Sequence, residues 1–258
     1  MLGVIGVGAI GAAIVTGLSE GGEPPEILLS PRSADVVAKL AAAYPNVRVA
    51  ASNQAVVEQS STVLLCVRPV DASSVLLELQ LREHQSLISV LAGVPIARLR
   101  ELAAPVHDIA RAIPLPSVAA RRGITPLYPV TASARGLFEQ LGGVIEVADE
   151  TSFELFSAST ATIAAHFLYL DRISSWLAAQ GIAPAAARQY VAAMFGQLAA
   201  SLHDSDLDFR EQMREHATPG GINELFCAVV TDEGIWDAVS VGLDRVRQRL
   251  MDREKGSR

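Results

Sequence analysis

The stretch Leu2-Gly3-Val4-Ile5-Gly6-Val7-Gly8-Ala9-Ile10-Gly11 decides the fold. A short apolar run ends in three spaced glycines, and the apolar pattern resumes at helical spacing through Ala12-Ala13-Ile14-Val15. A strand that turns through Gly-x-Gly-x-x-Gly into a helix is the geometry that cradles a dinucleotide pyrophosphate. Each glycine has its own task in that reading. Gly6 permits the tight turn, Gly8 lets the phosphates approach the backbone, and Gly11 allows close packing of helix on strand. The N–H groups of the helix start, at Ala9, Ile10 and Gly11, face the anion. An ordinary glycine-rich turn between strand and helix is the alternative.

Outward from the loop, short apolar runs recur at 4–6, 27–30, 47–50, 62–67, 86–90 and 108–112, with weaker ones at 127–130 and 144–147. Stretches of helical spacing separate them at 35–44, 53–59, 72–79 and 96–102. This alternation predicts a Rossmann-type, doubly wound α/β sheet of mostly parallel strands. From about residue 151 the pattern turns helical throughout, at 152–179, 184–203, 208–216, 221–231 and 235–252. Two domains are therefore expected: a dinucleotide-binding domain over 1–148, and an all-α C-terminal domain over 149–258 for substrate and dimerisation. The apolar faces of 153–170 and 185–202 either pack within one chain or form a bundle between subunits. A homodimer or higher homo-oligomer through the C-terminal helices is the expectation. Residues 253–258 read as a frayed tail.

Composition excludes several classes. Half of the 258 residues are apolar, enough for a sizeable core. Yet no apolar run reaches the roughly 18 residues of a membrane span, so no membrane partner and a cytoplasmic location are expected. A formal charge of −7 argues against a nucleic-acid partner. Cys66 and Cys227 are far apart and lack metal-type spacing, so they read as reduced thiols with no metal site.

The choice of nucleotide turns on the second strand. An NAD-preferring fold usually places Asp or Glu there, about 20 residues past the loop, to bind the ribose 2′-hydroxyl. Here the segment reads Leu28-Leu29-Ser30-Pro31-Arg32-Ser33. An arginine between two serines suits a 2′-phosphate, which makes Ser30, Arg32 and Ser33 cofactor candidates and NADP(H) the expected cofactor, with NAD(H) as the alternative. Ser33 also reads as a helix N-cap, and Arg32 also reads as a plain surface arginine.

Four segments together resemble pyrroline-5-carboxylate reductases. They are the glycine loop; Val67-Arg68-Pro69 followed by Ser89-Val90-Leu91-Ala92-Gly93-Val94; Arg111-Ala112-Ile113-Pro114; and Thr218-Pro219-Gly220-Gly221. The resemblance implies that Val67, Arg68, Pro69, Ala92 and Gly93 line the cofactor and that the substrate is a small imine acid. It also implies a substrate carboxylate held by the N–H groups of Gly220 and Gly221, with Asn223 where the family has a threonine that donates to the imine nitrogen. Departures cluster at the substrate end. Leu115-Pro116 replaces the family's Asn-Thr-Pro, and Ser157-Ala158-Ser159-Thr160-Ala161-Thr162-Ile163 replaces its Ser-Gly-Ser-Gly-Pro-Ala-Tyr. Ser159 and Thr162 are then the substrate-side candidates, and His166, one helical turn on, is a candidate proton donor or a packed histidine. Asn223 is alternatively a helix-start residue. Arg111 either faces a ligand or anchors the backbone.

Two rival readings follow. β-Hydroxyacid dehydrogenases share a glycine-loop domain followed by helices but need a lysine in the helical domain, and this chain has only Lys39 and Lys255. A non-catalytic NADP-binding regulatory protein of the same fold remains as the second reading.

Overall fold

The computed structural model describes residues 1–204 and 207–256, with backbone only at 200, 201, 203, 204 and 253–256. Its first strands are nearly continuous apolar segments, as a parallel sheet covered on both faces requires. They are β1 (Leu2–Ile5), β2 (Ile27–Leu29), β3 (Val47–Val49), β4 (Thr62–Leu65), β5 (Ser86–Ser89), β6 (Asp108–Ala112), β7 (Gly123–Tyr128) and β8 (Gly142–Glu146). Between them run α1 (Ala9–Ser19), α2 (Ala34–Ala43), α3 (Asn53–Gln59), α4 (Ala72–Leu77), α5 (Ile96–Leu102) and α6 (Ala132–Glu139).

The sheet order is β3-β2-β1-β4-β5-β6-β7-β8, a doubly wound Rossmann-type arrangement. Strand alternation divides the core in two. Val4, Leu64 and Ile88 point to one face and pack with Ile14, Leu18 and Phe138. Their chain neighbours Ile5, Leu65 and Leu87 point to the other and pack with Val56, Leu76 and Leu99. The parallel expectation holds through β6 and then breaks: β7 pairs antiparallel with β6, and β8 runs parallel to β7. The cause is the connection, since 113–122 contains only a short 3-10 turn over Pro116–Ala120, too little for a crossover helix.

The helices that follow are α7 (Glu150–Ser159), α8 (Thr162–Ala179), α9 (Pro184–Asp204), α10 (Phe209–His216), α11 (Ile222–Asp232) and α12 (Ile235–Gly256). The expected single helix over 152–179 is thus two. Ser159, Thr160 and Thr162 interrupt it, the Thr162 hydroxyl donating to the Ser159 carbonyl at 2.8 Å, a local bond that competes with the helical ladder. The expected frayed tail is helical through Gly256, and Ser257 and Arg258 lie outside the described residues. By contacts the chain forms two compact units. Residues 1–158 with those from Arg247 onward make the first, and Ser159–Val246 make the second.

Candidate functional site

In the first unit the chain leaves β1 at Ile5 and reverses at Gly6, whose φ is +87°. A Cβ at Gly6 would lie 2.7 Å from the Val67 amide nitrogen, and one at Gly11 would lie 2.9 Å from the Gly6 carbonyl oxygen. These two glycines let the loop, α1 and the β4 end close on one another. Gly8 differs, because a Cβ there would meet nothing within 4 Å. It is the N-cap of α1, no side chain caps the helix, and the first turn carries no acidic residue. The first helical bond runs from Ala12 N–H to the Gly8 carbonyl at 2.9 Å, so Ala9, Ile10 and Gly11 keep N–H groups without intrahelical partners. An uncapped helix start with open room at its glycine is a cradle for an anion, and it fits the pyrophosphate of a dinucleotide.

The flanks of the cradle come from neighbouring strand ends. Ser30 is buried, and its Oγ accepts the Gly6 N–H at 3.0 Å. Its hydroxyl thus braces the glycine loop through one acceptor position, and its O–H remains a donor. Ser33 stands at the N-cap of α2 and makes no side-chain capping bond. Arg32 is exposed beyond β2, and Arg68 beyond β4; Pro69 opens a 3-10 turn, Pro69–Asp71. Asp71 was not singled out by the sequence, yet it joins the two arginines. It accepts from Arg68 Nε at 2.9 Å and Nη2 at 3.0 Å, and its Oδ2 lies 3.6 Å from Arg32 Nη1. The Arg68 guanidinium holds the Asp71 carboxyl below the usual carboxylate range. Ala92 is exposed and Gly93 adopts φ +70° in the loop after β5. Cys66, packed against Gly11, has its thiol pushed up to about 12 by burial.

Arg111 is an anchor, but of side-chain carboxylates where backbone carbonyls were the expected partners. Its side chain is 1% exposed, donates to Glu150 Oε1 at 2.6 Å and to Glu154 Oε1 at 2.5 Å, and stacks over Phe153 with 4.6 Å to the ring centroid. Glu150 Oε1 also accepts the Ile96 N–H at 2.7 Å. The i, i+4 spacing of Glu150 and Glu154 is the only trace of this cluster in the sequence.

In the second unit Thr162, His166 and Tyr169 line a largely apolar cavity of about 960 Å³ with Phe226 and Trp236. The His166 ring meets Phe195 edge-on at 6.1 Å, and Tyr169 meets the same ring at 5.8 Å. Burial pushes the Tyr169 phenol up. Ser159, Gly220, Gly221 and Asn223 are not part of this lining. The Thr218–Gly221 loop departs from expectation in its bonding. The Gly220 N–H donates to Glu224 Oε2 at 2.7 Å, and the Gly221 N–H to the Thr218 carbonyl at 2.9 Å. Both expected carboxylate donors are engaged within the chain. The next N–H groups, at Ile222, Asn223 and Glu224, precede the first α11 bond from Leu225 to Gly221 and lack helical partners. Asn223 Nδ2 donates to the His216 carbonyl at 3.0 Å, which ties α11 to the end of α10.

Among the described residues no cluster of His, Cys, Asp or Glu could hold a metal ion, and no helix is long and apolar enough to cross a membrane.

Residues 1–93 match the family model described as "NADP oxidoreductase coenzyme F420-dependent". A pyrroline-5-carboxylate reductase of Synechocystis is 28% identical over 251 residues, 92% of each chain. The Pseudomonas aeruginosa enzyme of the same name is 27% identical over 176 residues, 64% of each chain. The fold is shared with a Plasmodium falciparum pyrroline carboxylate reductase solved with NADP bound, at TM-score 0.80 and 16% identity, covering 98% of this chain and 97% of that one. With its glycine cradle and its sheet order, the chain is similar in sequence to pyrroline-5-carboxylate reductases over most of its length and shares the fold of their solved structures.

Proposed function

We propose that the protein is an NADPH-dependent reductase of a cyclic imine carboxylate, related to pyrroline-5-carboxylate reductase and with an altered substrate. The observation that carries the cofactor half is the uncapped start of α1, open at Gly8 and flanked by Arg32. When bound, the dinucleotide supplies the hydride that an iminium carbon accepts. The chain's own part is positioning. Ala9, Ile10 and Gly11 offer N–H donors to the pyrophosphate, Arg32 and Ser33 offer charge and hydroxyl to a 2′-phosphate, and the loops at Val67–Pro69 and Ala92–Gly93 border the nucleotide. Substrate reading rests on Asn223, Ser159, Thr162 and His166, with the α11 N–H groups beyond Gly221 offered to the carboxylate.

Engagement of the Gly220 and Gly221 N–H groups by Glu224 and Thr218 favours a second reading, a non-catalytic NADP-binding regulatory protein. One experiment separates them. Purified protein is followed by NADPH absorbance against pyrroline-5-carboxylate, pyrroline-2-carboxylate and acyclic imine acids. Turnover of any of them supports the reductase, and NADPH binding with no turnover across the panel supports the second reading. Arg32→Ala should raise KM for NADPH far more than for NADH; equal effects remove the 2′-phosphate assignment.

The same proposal extends to assembly and place. Residues 1–148 would bind the dinucleotide, and 149–258 would serve substrate and dimer contacts in a cytoplasmic homodimer or higher oligomer. Support for the oligomer comes from the second unit, where α8 and α11 bury no residue among those described and Phe167, Trp176, Leu225 and Trp236 are each more than half exposed. Helices this apolar are stable in water when a second copy covers them.

A further inference from the structure

Arg32 and Arg68 come from loops 36 positions apart, yet β2 and β4 flank β1 in the sheet, so both arginines border the glycine cradle. The Asp71 carboxylate sits between them. Its side chain is 20% exposed, against 71% and 72% for the arginines, so the anion lies low and the cations stand above it. Arg68 presents its Nε–Nη2 edge to Asp71 in a bidentate pair. Arg32, at 3.6 Å, is held by charge alone and keeps its donors. In dinucleotide folds the ribose 2′ group is met at the end of the second strand, usually by an acid. This chain has Arg32 at that place, and the acid arrives instead from the loop after β4.

We infer that Asp71 sets the balance between a 2′-phosphate and a 2′-hydroxyl at this site, occupying Arg68 and restraining preference for NADPH over NADH. The inference rests on the dinucleotide-binding reading above. A phosphate monoester carries roughly −1.5 to −2 charges at neutral pH. Beside Arg32 it meets the Asp71 carboxylate as a like charge, whereas a 2′-hydroxyl meets the same carboxylate as a hydrogen-bond acceptor. Replacing Asp71 by Asn keeps its size, removes the repulsion and frees the Arg68 fork for the phosphate.

The test is calorimetric binding to the full chain of NADPH, NADH, adenosine 2′,5′-bisphosphate and 5′-AMP, for wild type, Asp71→Asn and Asp71→Ser. Both variants should raise the NADPH-to-NADH affinity ratio by about tenfold, equivalent to roughly 1.4 kcal/mol. The bisphosphate should tighten while 5′-AMP stays unchanged, a split that general loosening of the site would not produce. Adding Arg68→Ala to Asp71→Asn should cancel most of the gain. A ratio that is unchanged or lower in both variants, with wild type binding NADPH, overturns the role of Asp71 and leaves the dinucleotide reading standing. A wild-type chain that binds none of the four nucleotides overturns both.

Discussion

The Arg111 guanidinium and the Glu154 carboxylate meet at 2.5 Å with side chains 1% and 6% exposed. A buried ion pair of this kind is costly to break, because Arg111 would keep only Glu150 as a charged partner and would gain no water in place of Glu154. Glu154→Ala is expected to lower unfolding stability by up to about 3 kcal/mol, the low end for a broken buried pair, since Glu150 still compensates part of the charge. Replacing both residues, as Arg111→Met with Glu154→Leu, should recover most of that loss. Urea denaturation of the single and double variants checks this. A double variant no better than the single would show that Arg111 is needed for more than this pair.

The two glycines at the cradle's turn should behave differently. At Gly6 the φ of +87° and the 2.7 Å approach to the Val67 nitrogen leave no place for a side chain. Gly6→Ala should lower the melting temperature through strain of about 1–2 kcal/mol or more. Gly8→Ala should leave the melting temperature unchanged and weaken NADPH binding by roughly tenfold or more, since its methyl group would enter the space read as the pyrophosphate's. Paired thermal scans and dinucleotide titrations give the answer, and a Gly8→Ala protein with native affinity would move the nucleotide elsewhere.

Asn223 ties α11 to the His216 carbonyl with one amide N–H and keeps a second for a ligand. Asn223→Ala should therefore speed hydrogen exchange across 217–222. It should also lower kcat/KM for the imine acid that is turned over by about tenfold or more. Faster exchange with full activity would confine Asn223 to anchoring the loop.

Cys66 gives a pH dependence. Its thiol rises from 9.0 to about 12 in the folded chain, so the native state keeps a proton that the unfolded chain releases above 9. Stability should fall as pH rises from 9 toward 12, and a Cys66→Ala protein should lack that part of the decline. At pH 8 native Cys66 should react with iodoacetamide roughly a thousandfold more slowly than in the unfolded chain, since the thiolate is the nucleophile. Mass spectrometry of labelled peptides distinguishes Cys66 from Cys227.

The central elements of the first unit were legible because β1, β2, β4 and β5 are compact, mostly apolar runs bounded by turn residues. The runs at 62–67 and 86–90 contain β4 and β5, which lie side by side in the sheet. Strand direction was less so. The weak run at 127–130 overlaps the end of β7, whose earlier residues Gly123, Thr125 and Pro126 dilute the apolar signal, and its reversal depends on the length of the 113–122 connection. The cradle glycines were legible as a motif, since their spacing is their chemistry. Asp71 and Glu154 were not: they meet Arg32 and Arg111 across 39 and 43 positions, the first through the order of the strands and the second through the packing of α7. Glu224 was missed for a different reason, because a carboxylate one turn into a helix gives no sign that it will fold back onto Gly220.

The return of the described residues from Arg247 onward to the first unit, with Leu250 buried, bears on how the molecule is made. The helical unit is topologically an insertion, and the sheet-bearing unit is closed by residues that follow that insertion in the chain. A nascent chain released at residue 158 would carry every strand and still lack its final apolar plug. On the ribosome the glycine cradle can thus form early, while completion of the unit that bears it waits until the helical insertion and the residues from Arg247 onward have been made.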